Sequence, residues 1–225
     1  MNAVQIPLNL EYRSVHGRED FLLSAPNETA VAWIDRWPDW PGGILLITGP
    51  EGCGKTHLSH VWLEKAGARL IRAEDLETAD ITGLEEYSNS PLVVEDIEEF
   101  LPEDKLFHLY NLMKEKGNSL LLTSRFNVSE WHVTLPDLKS RLGTIQIAKI
   151  EEPDDMLFAS VLLKLFSDRQ MQISPEVIQY LIPRLERSFA QARRFVVELD
   201  GLAISQKRRI TIPLVRDLLE KEGKL

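Results

Sequence analysis

Apolar positions fall into two regimes along the chain. Up to about residue 150, short apolar runs bounded by turn residues alternate with stretches where apolar side chains recur every three or four positions; beyond it only the helical spacing remains. The runs at 44–48 (Ile-Leu-Leu-Ile-Thr), 69–72, 91–94, 119–123 and 144–150 predict five strands, the first buried on both faces. Helical spacing predicts helices over 29–37, 56–65, 104–116 and 136–142, with Leu106, Leu109, Tyr110 and Met113 forming the apolar stripe of the third. Asn27 reads as the N-cap of the first helix, and Pro38, Pro41, Gly42 and Gly43 break the chain after it. Residues 1–12 show no helical period and read as an extended tail. Strands that alternate with helices imply an α/β fold, a five-stranded parallel sheet covered on both faces. After residue 150, four helices are predicted at 153–170, 175–185, 189–205 and 212–222. The expected organisation is a tail at 1–15, an α/β core at 16–150 and a small all-helical domain at 151–225, with the boundary near Glu151-Glu152-Pro153.

Composition narrows the function classes. The 225 residues leave room for one ordinary domain and a small appended one. No apolar run approaches the roughly 18–20 residues of a bilayer span, and no charged and apolar leader marks export, so no membrane partner and a cytoplasmic location are expected. One cysteine, Cys53, makes no internal disulfide, and one Cys with five His argues against structural zinc. The formal charge is −9. Residues 1–150 hold 14 basic and 23 acidic side chains, while 151–225 hold 12 of each, so the excess lies in the core. Twelve carboxylates and no Lys or Arg fall between Glu74 and Asp104, a stretch that repels a phosphate backbone. The chain is therefore expected to meet DNA only indirectly. Lys207-Arg208-Arg209 reads either as a solvated helix end or as a local basic patch.

One motif carries chemistry. Gly49-Pro50-Glu51-Gly52-Cys53-Gly54-Lys55-Thr56 follows a predicted strand and opens a predicted helix, the context of a P-loop. Glycines let backbone N–H groups turn inward around a phosphate, and the helix N-terminus adds partial positive charge. Lys55 reaches the β- and γ-phosphates, and the Thr56 hydroxyl serves Mg²⁺. Leu92-Val93-Val94-Glu95-Asp96 supplies the strand that ends in carboxylates facing the metal: one of Glu95 and Asp96 holds the Mg²⁺ shell, the other polarises a water. Thr123-Ser124-Arg125 closes the fourth strand, where a polar side chain can sense the γ-phosphate; a turn-forming Thr-Ser is the alternative. Arg141, before the fifth strand, is a candidate to act on a neighbouring subunit's ATP or else a surface arginine. His57 and His60 lack a third ligand for a metal, and Trp33, Trp37 and Trp40 read as core and pocket wall.

These residues resemble a known family. Gly54 to His60 (Gly-Lys-Thr-His-Leu-Ser-His) is similar to the P-loop helix of the bacterial initiator DnaA and its relatives, which brings His57 into the phosphate segment. Asp20-Phe21-Leu22-Leu23 with Asn27 resembles the adenine-cradling segment, and Leu135 to Leu142 resembles the arginine-finger box. The resemblance runs from about residue 20 to 219 and implies an AAA+ module: an α/β P-loop ATPase core followed by a helical lid. Two features resemble the Hda branch of DnaA-homologous regulators. With the sequence ending after the lid, the helix-turn-helix domain of DnaA is expected to be missing. And Gln5-Ile6-Pro7-Leu8-Asn9-Leu10 is similar to the peptide with which that branch binds the sliding clamp, Ile6, Leu8 and Leu10 filling a pocket while Gln5 makes polar contacts. Residues 210–215 also resemble that branch's ending.

The resemblance implies a regulator that binds ADP or ATP with Mg²⁺, docks on the clamp, presents Arg141 to ATP held by DnaA, and forms homo-oligomers as an open possibility. Two departures matter. Glu95-Asp96 stands where most AAA+ proteins have Asp then Glu, so weak or no hydrolysis by the chain itself is expected. The family's lid arginine falls on Ala190, and Arg193 or Arg194, one turn later, is displaced by roughly 5.4 Å. The rivals are a helicase loader, which needs an N-terminal domain that about twenty residues cannot supply, a P-loop kinase, and a DNA-binding initiator fragment.

Overall fold

The computed structural model describes residues 22–223, so the predicted tail with Gln5, Ile6, Leu8 and Leu10, and also Phe21, lies outside the described residues. Five strands form one parallel sheet: β1 (Ile44–Thr48), β2 (Arg69–Arg72), β3 (Leu92–Glu95), β4 (Leu120–Ser124) and β5 (Gln146–Lys149), in the order β2-β3-β4-β1-β5. β1 and β4 are buried at every position. Period-two alternation sends their side chains to opposite faces. Ile44, Leu46, Leu92, Val94, Leu120 and Leu122 meet one apolar cluster; Leu45, Ile47, Val93, Leu121 and Ala148 meet another.

Helices cover both faces. On the second face lie α1 (Glu28–Arg36), through Ala30, Val31 and Ile34, and α2 (Lys55–Ala66), through Leu58, Val61 and Trp62. On the first lie α3 (Ala73–Thr78), α4 (Ile81–Tyr87), α5 (Glu103–Lys116) and α6 (Pro136–Leu142). The α5 stripe is Leu106, Leu109, Tyr110 and Met113, the residues that the spacing predicts. Trp40 stacks on Trp62 at 4.9 Å and Trp37 meets the same ring edge-on at 6.1 Å; Trp40 Nε1 donates to the Trp33 carbonyl and Trp37 Nε1 to Ser119 Oγ. The loop after α1 is thereby held on α2.

Two local features differ from the sequence reading. Asn27 precedes α1, but its side chain does not cap the helix. Its Oδ1 accepts from Ser24 N at 3.0 Å and its Nδ2 donates to the Leu22 carbonyl at 2.8 Å. The amide is fully buried, and satisfying both ends on the incoming loop leaves nothing for the first turn. Helices α3 and α4 carry no long apolar period. Asp75 Oδ2 accepts from Arg72 N and Asp80 Oδ1 from Gly83 N, so acidic caps start both.

The described residues divide into two units, 22–151 and 152–223. The second is all helical: α7 (Asp155–Asp168), α8 (Pro175–Leu181), α9 (Phe189–Gln206) and α10 (Ile212–Lys221). They enclose their own core, with Phe158, Phe166 and Phe195 fully buried. Asp154 Oδ1 caps α7 from Leu157 N and Ser188 Oγ caps α9 from Gln191 N. Arg208, in the basic run after α9, pairs with Asp217 at 3.0 Å. Among the described residues no helix is long and apolar enough to cross a membrane.

Candidate functional site

In a parallel sheet every carboxyl end opens on the same edge, and ligands lie there. β1, β3 and β4 stop at that edge with Thr48, Glu95 and Ser124, and β1 feeds directly into the loop 49–54 that starts α2. The loop begins against the sheet: Gly49 N donates to the Ser124 carbonyl at 3.2 Å. A Cβ on Gly49 would stand 2.4 Å from the Ile150 carbonyl oxygen and 2.8 Å from Cys53 Sγ, so only glycine fits. Gly52 and Gly54 have φ of 71° and 109°, the left-handed region, which lets the backbone curl before α2 begins.

Lys55 is buried on the first turn of α2, and its Nζ donates to the carbonyls of Gly49 at 2.7 Å and Pro50 at 3.0 Å. The amine is therefore held over the loop by weak neutral acceptors that a phosphate oxygen, carrying charge, outcompetes. Thr56 is exposed beside it. Cys53 is buried, and burial pushes its thiol above the ordinary range against the pull of Lys55, so it packs as a small apolar group.

Of the two acids, Glu95 is the one that faces α2. Burial first, and then the adjacent Asp96 charge, push its carboxyl above the ordinary range; His60 and hydrogen bonding to the Ser59 and Thr56 hydroxyls pull the other way. Its Oε1 is buried without a partner. Asp96 sits in a left-handed turn, φ 50°, its N–H donating to Thr123 Oγ1 at 3.0 Å and tying the ends of β3 and β4 together. An orphaned carboxylate oxygen beside a hydroxyl, next to a glycine-rich loop with no room for a Cβ at Gly49 and the Lys55 amine over it, fits a phosphate chain with a hard cation such as Mg²⁺, which takes oxygen ligands from one or two carboxylates and from phosphate. Among the described residues no cluster of three or more His, Cys, Asp or Glu side chains could hold a metal by itself.

The remaining predicted residues scatter. Ser124 Oγ accepts from Phe126 N and Trp131 Nε1, each at 3.0 Å, and so shapes the turn after β4. Leu22 is part-buried and held through Asn27. His57 lies part-buried on the first turn of α2. Arg141, on α6, stacks on α5, its guanidinium 5.0 Å from the Phe107 ring centroid and 5.4 Å from that of Tyr110. None of its hydrogen bonds or ion pairs among the described residues involves the loop 49–54. Ala190, Arg193 and Arg194 are all exposed on the first two turns of α9, where Arg194 hydrogen-bonds Gln191.

Sequence reasoning named Arg125 only within the tripeptide that closes the fourth strand and missed its ion pairs at the site edge. Arg125 Nη1 lies 3.3 Å from Glu51 of the loop, and the same guanidinium reaches Glu99 at 3.5 Å and Glu98 at 3.9 Å. It offsets the Glu51 carboxylate of the glycine-rich loop. No local pattern links Glu51 to Arg125, since the sheet alone brings them together.

Comparison with known proteins follows this geometry. Residues 159–219 match the family described as "Hda, lid domain". Domain III of the Thermotoga maritima replication initiation protein DnaA superposes with a TM-score of 0.79 at 18% identity, covering 92% of this chain and 96% of that one. AMPPCP-bound DnaA from Aquifex aeolicus gives a TM-score of 0.68 at 20% identity, covering 82% of this chain and 63% of that one. The Thermotoga maritima RuvB Holliday junction branch migration motor gives 0.63 at 16% identity, covering 79% of this chain and 61% of that one.

Proposed function

We propose that this Hda-like, DnaA-related AAA+ chain regulates bacterial replication initiation by binding ADP or ATP and stimulating hydrolysis of the ATP held by DnaA. The observation that carries the reading is the match of 159–219 to the Hda lid domain on a chain whose fold is that of DnaA domain III. The nucleotide would lie along the loop 49–56. Backbone amides and Lys55 hold the phosphates, while Phe21, Leu22 and His57 belong to the flanking segments. Thr56 and Glu95 would hold Mg²⁺, which supplies positive charge to the phosphates when bound, and Asp96 would be the second acid. Asp96 is one methylene shorter than the glutamate usual at that place and reaches a water less surely, so hydrolysis by this chain itself is weak.

Action on DnaA runs through Arg141. A guanidinium delivered to another subunit's nucleotide meets the negative charge that develops in phosphoryl transfer. Docking on the DNA-loaded sliding clamp through Gln5, Ile6, Leu8 and Leu10 brings the two proteins together, and the acidic balance of residues 1–150 supports contact with DNA only through such partners. The location is the bacterial cytoplasm, and self-association through the same AAA+ surfaces accompanies the reading.

The test is phosphate release from labelled ATP preloaded on DnaA, with clamp, DNA and this protein present. Arg141→Ala should reduce release by a large part of the roughly 10³–10⁵ that arginine fingers contribute. Gln5→Ala with Leu8→Ala should reduce it only by losing the clamp, and excess protein should restore it. Full stimulation by Arg141→Ala would sink the mechanism.

A further inference from the structure

We infer that Arg125 is a positioning residue for the nucleotide: it holds the Glu51 carboxylate off the phosphate loop, and the affinity of that loop for a polyphosphate depends on Arg125 through Glu51. The inference rests on the reading in which the loop 49–56 takes ADP or ATP, and it adds what keeps an acid inside that loop from repelling its ligand. Three observations carry it.

Glu51 lies between Gly49 and Gly52, next to Pro50, whose carbonyl accepts from Lys55 Nζ at 3.0 Å. An uncompensated carboxylate there acts twice against a phosphate. It repels the charge of the ligand, and it is a charged acceptor for the amine that the phosphate needs, stronger than a neutral carbonyl. The carboxylate is instead drawn to Arg125 Nη1 at 3.3 Å. Secondly, Arg125 is anchored before it reaches Glu51. Its backbone N–H donates to Glu98 Oε1 at 2.7 Å, and its guanidinium lies 3.9 Å from the same oxygen and 3.5 Å from Glu99. The Glu98 side chain is 9% exposed, against 74% for Glu51. The residue before Arg125 is fixed on two sides: the Ser124 carbonyl accepts from Gly49 N at 3.2 Å, and Ser124 Oγ accepts from Trp131 Nε1 at 3.0 Å. The buried end therefore sets the cation, and the exposed carboxylate comes to it.

Thirdly, stability does not account for the contact. An ion pair whose members are 41% and 74% exposed adds little to folding. The guanidinium already has Glu98 and Glu99, so it does not need Glu51 for neutralisation. Glu51 is the group that gains, because among the described residues Arg125 is the one cation paired with it. Loss of Arg125 is thus felt at the loop as charge, not as shape.

Calorimetric titration of the full chain with ATP and with ADP, Mg²⁺ present, tests the inference. Arg125→Gln, which removes the charge and keeps a long side chain, should weaken ATP about tenfold and ADP less, since ADP carries one phosphate fewer. In a Glu51→Gln background the same change at Arg125 should cost at most about twofold, because the two residues act as one unit. Raising the salt from about 0.05 to about 0.5 M should close most of the gap between Arg125→Gln and wild type, since an exposed carboxylate is then screened. Arg125→Ala serves if the glutamine variant fails to fold. A tenfold loss that persists in the Glu51→Gln background means that Arg125 meets the nucleotide itself or shapes the loop, and it overturns the inference. So does an unchanged ATP affinity in Arg125→Gln, or a loss indifferent to salt. Lys55→Ala separates the two levels. If Lys55→Ala keeps full affinity, the reading of the loop as a nucleotide site falls and the inference goes with it. If Lys55→Ala loses affinity and Arg125→Gln does not, the inference alone falls.

Discussion

Lys55 and Gly49 show how differently two neighbours in one loop act. The Lys55 amine donates to the carbonyls of Gly49 and Pro50, the first bond buried and the second part-buried. Lys55→Ala should therefore lower stability by only about 1 kcal/mol and weaken ADP and ATP by about a hundredfold, since it removes charge-assisted hydrogen bonds to phosphate. Gly49→Ala should cost more in stability, because its methyl would stand 2.4 Å from the Ile150 carbonyl oxygen. Forced displacement of that kind costs about 2 kcal/mol. Calorimetric titration beside thermal melts of the two variants checks the contrast; unchanged nucleotide affinity in Lys55→Ala removes the P-loop assignment. At this scale the loop was legible because its chemistry is contiguous. The roles of Arg125 and Asn27 were not: the first depends on a salt bridge made across the sheet edge, the second on a buried amide turned back onto the preceding loop.

The element scale turns on Glu103, the first residue of α5. Its carboxylate accepts from the backbone N–H of Thr134, with further hydrogen bonds to the Leu135 N–H and the Thr134 hydroxyl, and these hold it below the usual glutamate range. A folded-state value below the unfolded one means that folding favours the ionised form. The stabilisation is then present above the ordinary glutamate range and disappears as pH falls through the folded value. Glu103→Ala should lower stability by about 1 kcal/mol at pH 7, discounted for solvent screening of an exposed group, with the difference closing on acidification. Denaturation curves across acid and neutral pH check this, and a difference that persists at low pH means that the loss is steric. Strands and long helices were predictable because burial of five-residue runs and the α5 stripe leave an unambiguous period. Helices α3 and α4 were not, being six and seven residues long with acidic caps instead of an apolar stripe.

For the whole molecule, the change from alternating strands and helices to helices alone coincides with a change of core. Phe158, Phe166, Phe195 and their neighbours form a cluster that contains no residue of 22–151. A fragment spanning 152–225 should therefore fold alone and melt cooperatively in far-ultraviolet circular dichroism, with a low stability appropriate to its size. A non-cooperative, coil-like spectrum would mean that its core needs the α/β unit. The fold class was legible at this scale because a parallel sheet leaves a repeating signature. What Arg141 faces was not, since aromatic residues on α5 read as core and their rings meet α6 only through the packing of the two helices.

The indole cluster has an optical consequence. Trp33, Trp37, Trp40, Trp62 and Trp131 are all the tryptophans of the chain, and every one precedes residue 152. Trp62 rides on α2, the helix that opens with Lys55, and Trp131 is hydrogen-bonded to the last residue of β4. Emission excited at the red edge of protein absorbance is thus a built-in, single-colour gauge of the α/β unit, with two of its five fluorophores anchored to elements that border the loop 49–54. The helical unit is dark in that channel, so light from this protein sorts events in one unit from events in the other without any label being attached.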